Sequence, residues 1–346
     1  MPARDRVPAT PAQGGGATSA RRGGGGRARA VAGTPATDQL VVGTVPVLAR
    51  VAGALLVLAG LVGAVAVFPT YLVVGGQALR FATGPLDALV ALVGPVATLV
   101  VGAGLLLGRV PRLGLAFAAI GAALAVGRLL IELYRGNGST TRPAIEVLAG
   151  ERVLTSSVET GAGWVLGVVA LGLTVLAGLV AIVAWGRTVM EDGGSLDPVR
   201  PALAGAAVLL SVAAVLCLAL PAADVPDRVV TDPTTGLETV VATEGPQALL
   251  ERPGLALLGG LLLAGALVLC AVIAPSLRPR LGAVGGLLAL AVSLLTAALA
   301  GLRDAVHSDA LEWTVPGAGL LVLAVGMVAL TLLAWRWRAG TASTEG

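Results

Sequence analysis

Eight stretches of almost unbroken apolar sequence dominate the chain, at 51–68, 86–107, 113–133, 162–185, 201–220, 254–274, 281–302 and 316–335. Each is close to the roughly 20 residues that a helix needs to cross a hydrocarbon core at about 1.5 Å per residue. A lone strand in lipid would leave its backbone unpaired, and a barrel would show shorter, alternating segments. Each run therefore predicts a transmembrane helix.

The polar connectors predict the orientation. Arginines crowd the N-terminal tail (Arg21, Arg22, Arg27, Arg29) and the connectors at Arg109/Arg112, Arg187/Arg200 and Arg278/Arg280. They also open the C-terminal tail, at Arg336 and Arg338. With eight crossings, all five groups fall on one side, which the positive-inside rule makes cytoplasmic. Acidic residues gather on the other side, in the 221–253 loop. Trp185, Trp313, Trp335 and Trp337 sit at run ends, as an interfacial belt requires, with Trp164 just inside one.

The second half repeats the first. "GRVPRLG" (Gly108 to Gly114) joins the second and third runs, and "SLRPRLG" (Ser276 to Gly282) joins the sixth and seventh. Pro85 then aligns with Pro253, Gln77-Ala78-Leu79 with Gln247-Ala248-Leu249, and "VETGAG" (Val158 to Gly163) with "LEWTVPGAG" (Leu311 to Gly319). Four helices per copy is an even number, so the copies insert the same way up, as parallel repeats about an axis along the membrane normal. The predicted fold class is an all-α integral membrane protein with about eight transmembrane helices, built as two parallel four-helix repeats with small outer loops. The expected divisions are a disordered tail at 1–45, a first unit at 46–190, a cytoplasmic linker at 191–200, a second unit at 201–338 and a tail at 339–346. In the outer loops, 229–242 predicts a β-hairpin, Tyr71 to Val74 a shorter counterpart, and Arg142 to Val153 a short amphipathic helix.

This plan of helix, long outer loop, helix, tight basic turn, helix, outer loop, helix resembles the claudin-type tetraspan architecture, doubled. It also looks like small four-helix actinobacterial membrane proteins such as the tryptophan-associated family. The resemblance lies in the order of helices and loops, and no functional residue is carried over from it.

Composition agrees with lipid as solvent: 56% of the 346 residues are hydrophobic and only 12% are charged, with a mean hydropathy of +0.91. Every basic residue is Arg, which with the excess of Ala and Gly fits a GC-rich bacterial gene. The Gly- and Arg-rich segment 1–40 has too little apolar area to offset its ordering entropy. Its arginines can touch anionic headgroups, and no nucleic acid is expected as a partner. Cys217 and Cys270 lie in apolar runs without metal-ligand spacing and are expected to be small buried hydrophobes.

The sharpest polar feature is Arg128 with Glu132, four residues apart on one face of the third run and able to form an intramembrane ion pair. His307, the only histidine, is expected in an outer loop beside Asp304 and Asp309. A lone His with carboxylates can sense pH but makes a poor transition-metal site. The small-residue pairs Gly163/Gly167 and Ala59/Gly63 permit close helix approach, and Pro95 permits a kink. There is no HExxH, no Lys for a phosphate loop, and no Ser/His dyad within the spans. Neither catalysis nor a cofactor is expected. The expected partners are the bilayer and, through the outer loops, another membrane or envelope protein. The expected role is a non-enzymatic scaffold or accessory component of the envelope. The alternative is a transporter or channel for a small apolar or lipid-like solute between the repeats, gated by Arg128 and Glu132.

Overall fold

The computed structural model describes residues 41–42, 45–137, 145–148, 151–154, 157–188, 190–191, 196–224, 228–231, 238–241, 248, 254–307 and 312–337. Among them are eight helices long and apolar enough to cross a membrane. They are α1 (Val47–Ala66), α2 (Pro85–Leu106), α3 (Pro111–Arg135), α4 (Ala162–Trp185), α5 (Arg200–Leu218), α6 (Leu255–Ser276), α7 (Arg280–His307) and α8 (Val315–Arg336). The multi-pass membrane architecture follows from their length and composition. The end at which α1 begins is called inner and the opposite end outer, after the orientation that the arginines predict.

Local chemistry sets the boundaries. Pro85, Pro111 and Pro316 fall in the first turns of α2, α3 and α8, where the missing amide hydrogen costs nothing. Gly108, with φ of 69°, lets the chain leave α2 in a left-handed conformation and re-enter a helix three residues later. Thr314 caps α8 by accepting from the Gly317 amide.

The helices pack in two rings of the same order. In the first, α1 lies on α2 and α4, and α3 lies on α4 and α2; in the second, α5 lies on α6 and α8, and α7 lies on α8 and α6. The rings meet where α3 packs on α6 and α7, and α2 packs on α7. Burial singles out the two central helices: 61% of the apolar window of α3 and of α7 is buried, against 17% for α2 and α4. These two run side by side in the same direction. Gly285 of α7 lies against the backbone of Leu113 near the start of α3, and Arg303 near the end of α7 lies over Phe81 at the outer end.

Short strands decorate both ends. At the outer end, β2 (Leu72–Val74) pairs with β3 (Gln77–Leu79) around Gly75 and Gly76, both at positive φ, and with β6 (Val158–Thr160), giving the order β3-β2-β6. The second ring repeats the tie on a smaller scale, with β8 (Ala223–Asp224) paired to β11 (Glu312–Trp313). In each ring the strand after the first helix therefore binds the strand before the last. The hairpin expected at 229–242 is formed by β9 (Arg228–Thr231) and β10 (Glu238–Val241).

Three expectations are corrected. Within the helix expected at 142–153 the described residues are strands instead: β4 (Ile145–Leu148) pairs antiparallel with β5 (Glu151–Leu154). Each strand carries a β-branched residue, and eight residues are too few for a stable helix without packing. At the inner end, β1 (Val41–Val42) pairs with β7 (Met190–Glu191), so residues 41–42 of the tail expected at 1–45 are strand. Finally, α7 runs on to His307, because "TAALAGLRDAVH" (Thr296 to His307) contains no proline and mostly good helix formers. Asp304 and His307 are thus helical residues, not loop residues; Asp309 lies outside the described residues, as does the tail at 1–40.

Candidate functional site

The polar groups of the outer half converge on α3 and α7. Arg128 and Glu132 both lie on α3, but they take different partners. Arg128 Nη2 donates to Ser293 of α7 twice, to its backbone oxygen at 2.8 Å and to its hydroxyl at 2.7 Å. Glu132 instead accepts from the Tyr71 hydroxyl and, at 2.9 Å, from Arg135 Nη1. Arg128 and Glu132 attract each other along α3, but each makes its hydrogen bonds elsewhere. Helical side chains tilt toward the helix N-terminus, so Arg128 leans inward, away from Glu132, and meets α7 about half-way along its length. Ser293 lies about 20 Å from the inner end of α7, half-way along that helix.

Above it sits a compact outer cluster. Trp164, from the first turn of α4, donates its indole N–H to the Glu132 backbone oxygen at 2.8 Å. Tyr71 stacks on Phe81 with ring centroids 4.3 Å apart, and the Arg303 guanidinium stands 5.4 Å from the Phe81 centroid. Arg303 Nε binds Asp304 at 3.0 Å, and Asp304 in turn attracts Arg135. Burial, reinforced by the Glu132 carboxylate, holds the Tyr71 phenol well above its ordinary pKa, so it stays protonated and donates. Within this cluster Arg135 faces Glu132, and Arg303 faces Asp304. Tyr71, Leu72, Val74 and Leu79 form a small apolar core of their own beneath the outer sheet.

At the inner end, arginines staple helix termini. Arg112 donates to the Thr188 backbone oxygen and lies 4.4 Å from the Trp185 ring centroid. Arg280, the matching residue of the second "PRLG", donates to the backbone oxygens of Trp335 at 2.9 Å and Trp337 at 2.8 Å. Arg200 binds the backbone oxygen of Pro275 at 2.7 Å, and Asp197 joins Arg200 to Arg278, each at 3.2 Å. Cations here meet the carbonyl-rich ends of helices, where they are favoured.

The structure thus brings Arg128, Glu132 and Asp304 to one side of the α3–α7 contact and places His307 at the end of α7. Among the described residues, no three His, Cys, Asp or Glu side chains gather as metal ligands. Cys217 and Cys270 are free thiols. Sequence reasoning missed Tyr71, Trp164 and Ser293. Ser293 carried a faint signal, as a hydroxyl three residues before Thr296 inside an apolar run. The partnership of Tyr71 with Glu132, 61 residues apart, had none.

No family model, no curated protein and no solved structure matches this chain.

Proposed function

We propose that the protein is a non-enzymatic scaffold or accessory component of the plasma membrane, a tandem duplication of one four-helix unit with both termini cytoplasmic. In this reading its outer strands face a membrane or envelope partner. The duplication is supported by Arg112 and Arg280, which bind the ends of α4 and α8 in the same way, and by the strand ties β2–β6 and β8–β11. The doubled claudin-like plan is proposed on the same ground.

The observation that carries the scaffold reading is the closure of the seam between the rings. A Cβ on Gly127 would stand 2.6 Å from the Gly259 backbone oxygen, and one on Gly285 would stand 2.1 Å from that of Leu113. Backbone meets backbone where a solute path between the units would run. One observation favours the second reading, transport between the units: Arg128 is an ionisable group inside an apolar helix at the contact between the two rings, where transporters built from repeats place their sites.

A cysteine lock separates the two. Gly94 of α2 faces Thr296 of α7 across the seam, with 3.0 Å between a Cβ at 94 and the Thr296 methyl. The pair Gly94→Cys/Thr296→Cys, in a chain with Cys217 and Cys270 replaced by Ala, can therefore be oxidised to a disulfide. A scaffold keeps its ability to rescue a deletion strain when locked. Loss of rescue on oxidation and recovery on reduction would instead establish a moving seam.

A further inference from the structure

We propose that the inner half of α3 carries a binding site for one anionic phospholipid, with the headgroup at Arg187 and Arg112 and an acyl chain laid along Ala119, Ala123 and Val126. The site does not depend on whether the protein is a scaffold or a transporter.

α3 is one of the two central helices, yet one stripe of it is uncovered. Its Ala118 and Ala122 side packs on α4, where a Cβ on Gly178 would collide with Ala122. Its Gly127 and Ile131 side packs on α6, at Gly259 and Leu263. At 3.6 residues per turn, Ala119, Ala123 and Val126 fall on the face between those two contacts, and Arg112 begins the same face two turns earlier. Ala123 and Val126 are exposed and Ala119 is half-buried. By the alignment of the two "PRLG" turns, the matching positions of α7 are Leu287, Ala291 and Leu294, and none is more than 1% exposed. The open stripe thus belongs to the first copy alone, and small side chains make it a shallow trough between α4 and α6.

Charge and length select the occupant. Arg187 is exposed just past the end of α4, and its guanidinium makes no hydrogen bond or ion pair among the described residues. Arg112 donates to the backbone oxygen of Thr188, so its guanidinium stands beside the segment that carries Arg187. Among the described side chains, the acid at this end is Asp197, which Arg200 and Arg278 engage. Trp185 covers Arg112 and reaches across to α7, where a Cβ on Gly282 would stand 3.0 Å from its ring. An indole beside arginines at a helix end marks the headgroup level of a bilayer. From Arg112 to Val126 the stripe rises about 21 Å, against about 15 Å for one leaflet's half of the hydrocarbon core. It therefore takes one headgroup and one acyl chain. A headgroup with net negative charge is attracted by both arginines, whereas a zwitterionic one gains little from them.

The test uses the full chain in phosphatidylcholine bilayers, with phosphatidylglycerol brominated on its acyl chains as probe and brominated phosphatidylcholine as reference. Quenching is read in a chain that keeps Trp185 and has its other tryptophans replaced by Phe. The anionic lipid should quench Trp185 saturably and bind about tenfold more tightly than the zwitterionic one. Arg187→Gln should weaken it about fivefold, the share of one arginine near a lipid surface. Ala123→Phe, which fills the trough from an exposed position, should weaken it as well. Neither substitution should alter quenching in a chain that keeps only Trp335, at the end of α8. Native mass spectrometry reads the same site in the chain with all its tryptophans: one phosphatidylglycerol should be retained in preference to phosphatidylcholine, and Arg187→Gln should lose it. The proposal is overturned if both lipids quench or are retained alike, if Arg187→Gln or Ala123→Phe leaves the affinity unchanged, or if Trp335 loses quenching to the same extent. It is also overturned if Ala123→Cys, in a chain with Cys217 and Cys270 replaced by Ala, forms a disulfide with a second copy, because the occupant would then be another protomer.

Discussion

In the first ring, α1 crosses α2 on bare backbone: a Cβ on Gly53 would stand 2.6 Å from the Leu106 amide nitrogen, and one on Gly60 would stand 2.7 Å from that of Leu99. In the second ring, Gly205 of α5 and Gly265 of α6 have nothing within 4 Å. The rings share an order of helices and a pair of strand ties, yet they reach them by different packing. Without a hydrophobic force between helices in lipid, close approach and hydrogen bonds must supply the association. The first ring uses glycine crossings and a polar cluster at its outer end. The positions that match Arg128 and Glu132 in the second ring, by the alignment of the two "PRLG" turns, are Thr296 and Ala300. The difference has a physical reason at the contact of the rings. Arg128 reaches into α7 beside the position that matches its own, so an arginine in both copies would set two like charges together in low dielectric.

The largest expected effect comes from filling a crossing of the first ring. Gly53→Val forces a side chain into the α2 backbone and should cost about 3 kcal/mol in detergent-induced unfolding, the upper end for overpacking. A wild-type midpoint for this variant would mean that the crossing is not tight. Next is Glu132→Gln, which keeps the shape but removes the charge that binds Tyr71 and Arg135; a loss of about 2 kcal/mol is expected. The matching change in the second ring, Ala300→Gln, has no such cluster to disturb, and a loss as large there would erase the distinction between the rings.

A smaller effect is tied to pH. The Tyr71 phenol has its pKa raised on folding above the ordinary 10.0. Its contribution is therefore complete below pH 10 and declines as pH rises past that value, because the unfolded chain then releases a proton that the folded chain retains. Unfolding midpoints should be flat up to about pH 10 and fall beyond it, and Tyr71→Phe should flatten that fall; an unchanged alkaline limb counts against the buried phenol. The smallest effect is expected for Gly265→Ala, which meets no neighbour. It should leave the midpoint within a few tenths of a kcal/mol or raise it slightly, since alanine favours the helix.

The small-residue pairs visible in the sequence show what spacing can and cannot say. Gly167, half of a GxxxG on α4, has nothing within 4 Å, while its companion Gly163 lies against the Pro69 and Thr70 backbone oxygens of the outer loop. Gly127 and Gly259, which carry the contact between α3 and α6, belong to no pair that stood out. Similarly, the i, i+4 spacing of Arg128 and Glu132 correctly placed both on one face of α3, but side-chain tilt and partners on α7 and the outer loop decided what each one binds. The hairpin around 235 was legible because β-branched residues flank a turn-rich "DPTTG". The hairpin at 145–154 was not, since a short amphipathic stretch suits helix or strand equally until its neighbours choose.

The eight spans depend on nothing but local chain properties: a run of about 20 apolar residues in lipid has one way to satisfy its backbone, so the sequence alone determined how many spans there are among the described residues and about where they lie, though not where α7 ends. Which helices touch, which glycines stand at the crossings and which partner an arginine finds are set by groups far apart in the chain, from tens of residues to well over a hundred. Arg128 and Ser293 are 165 residues apart, and only the tertiary structure brought them to hydrogen-bonding distance.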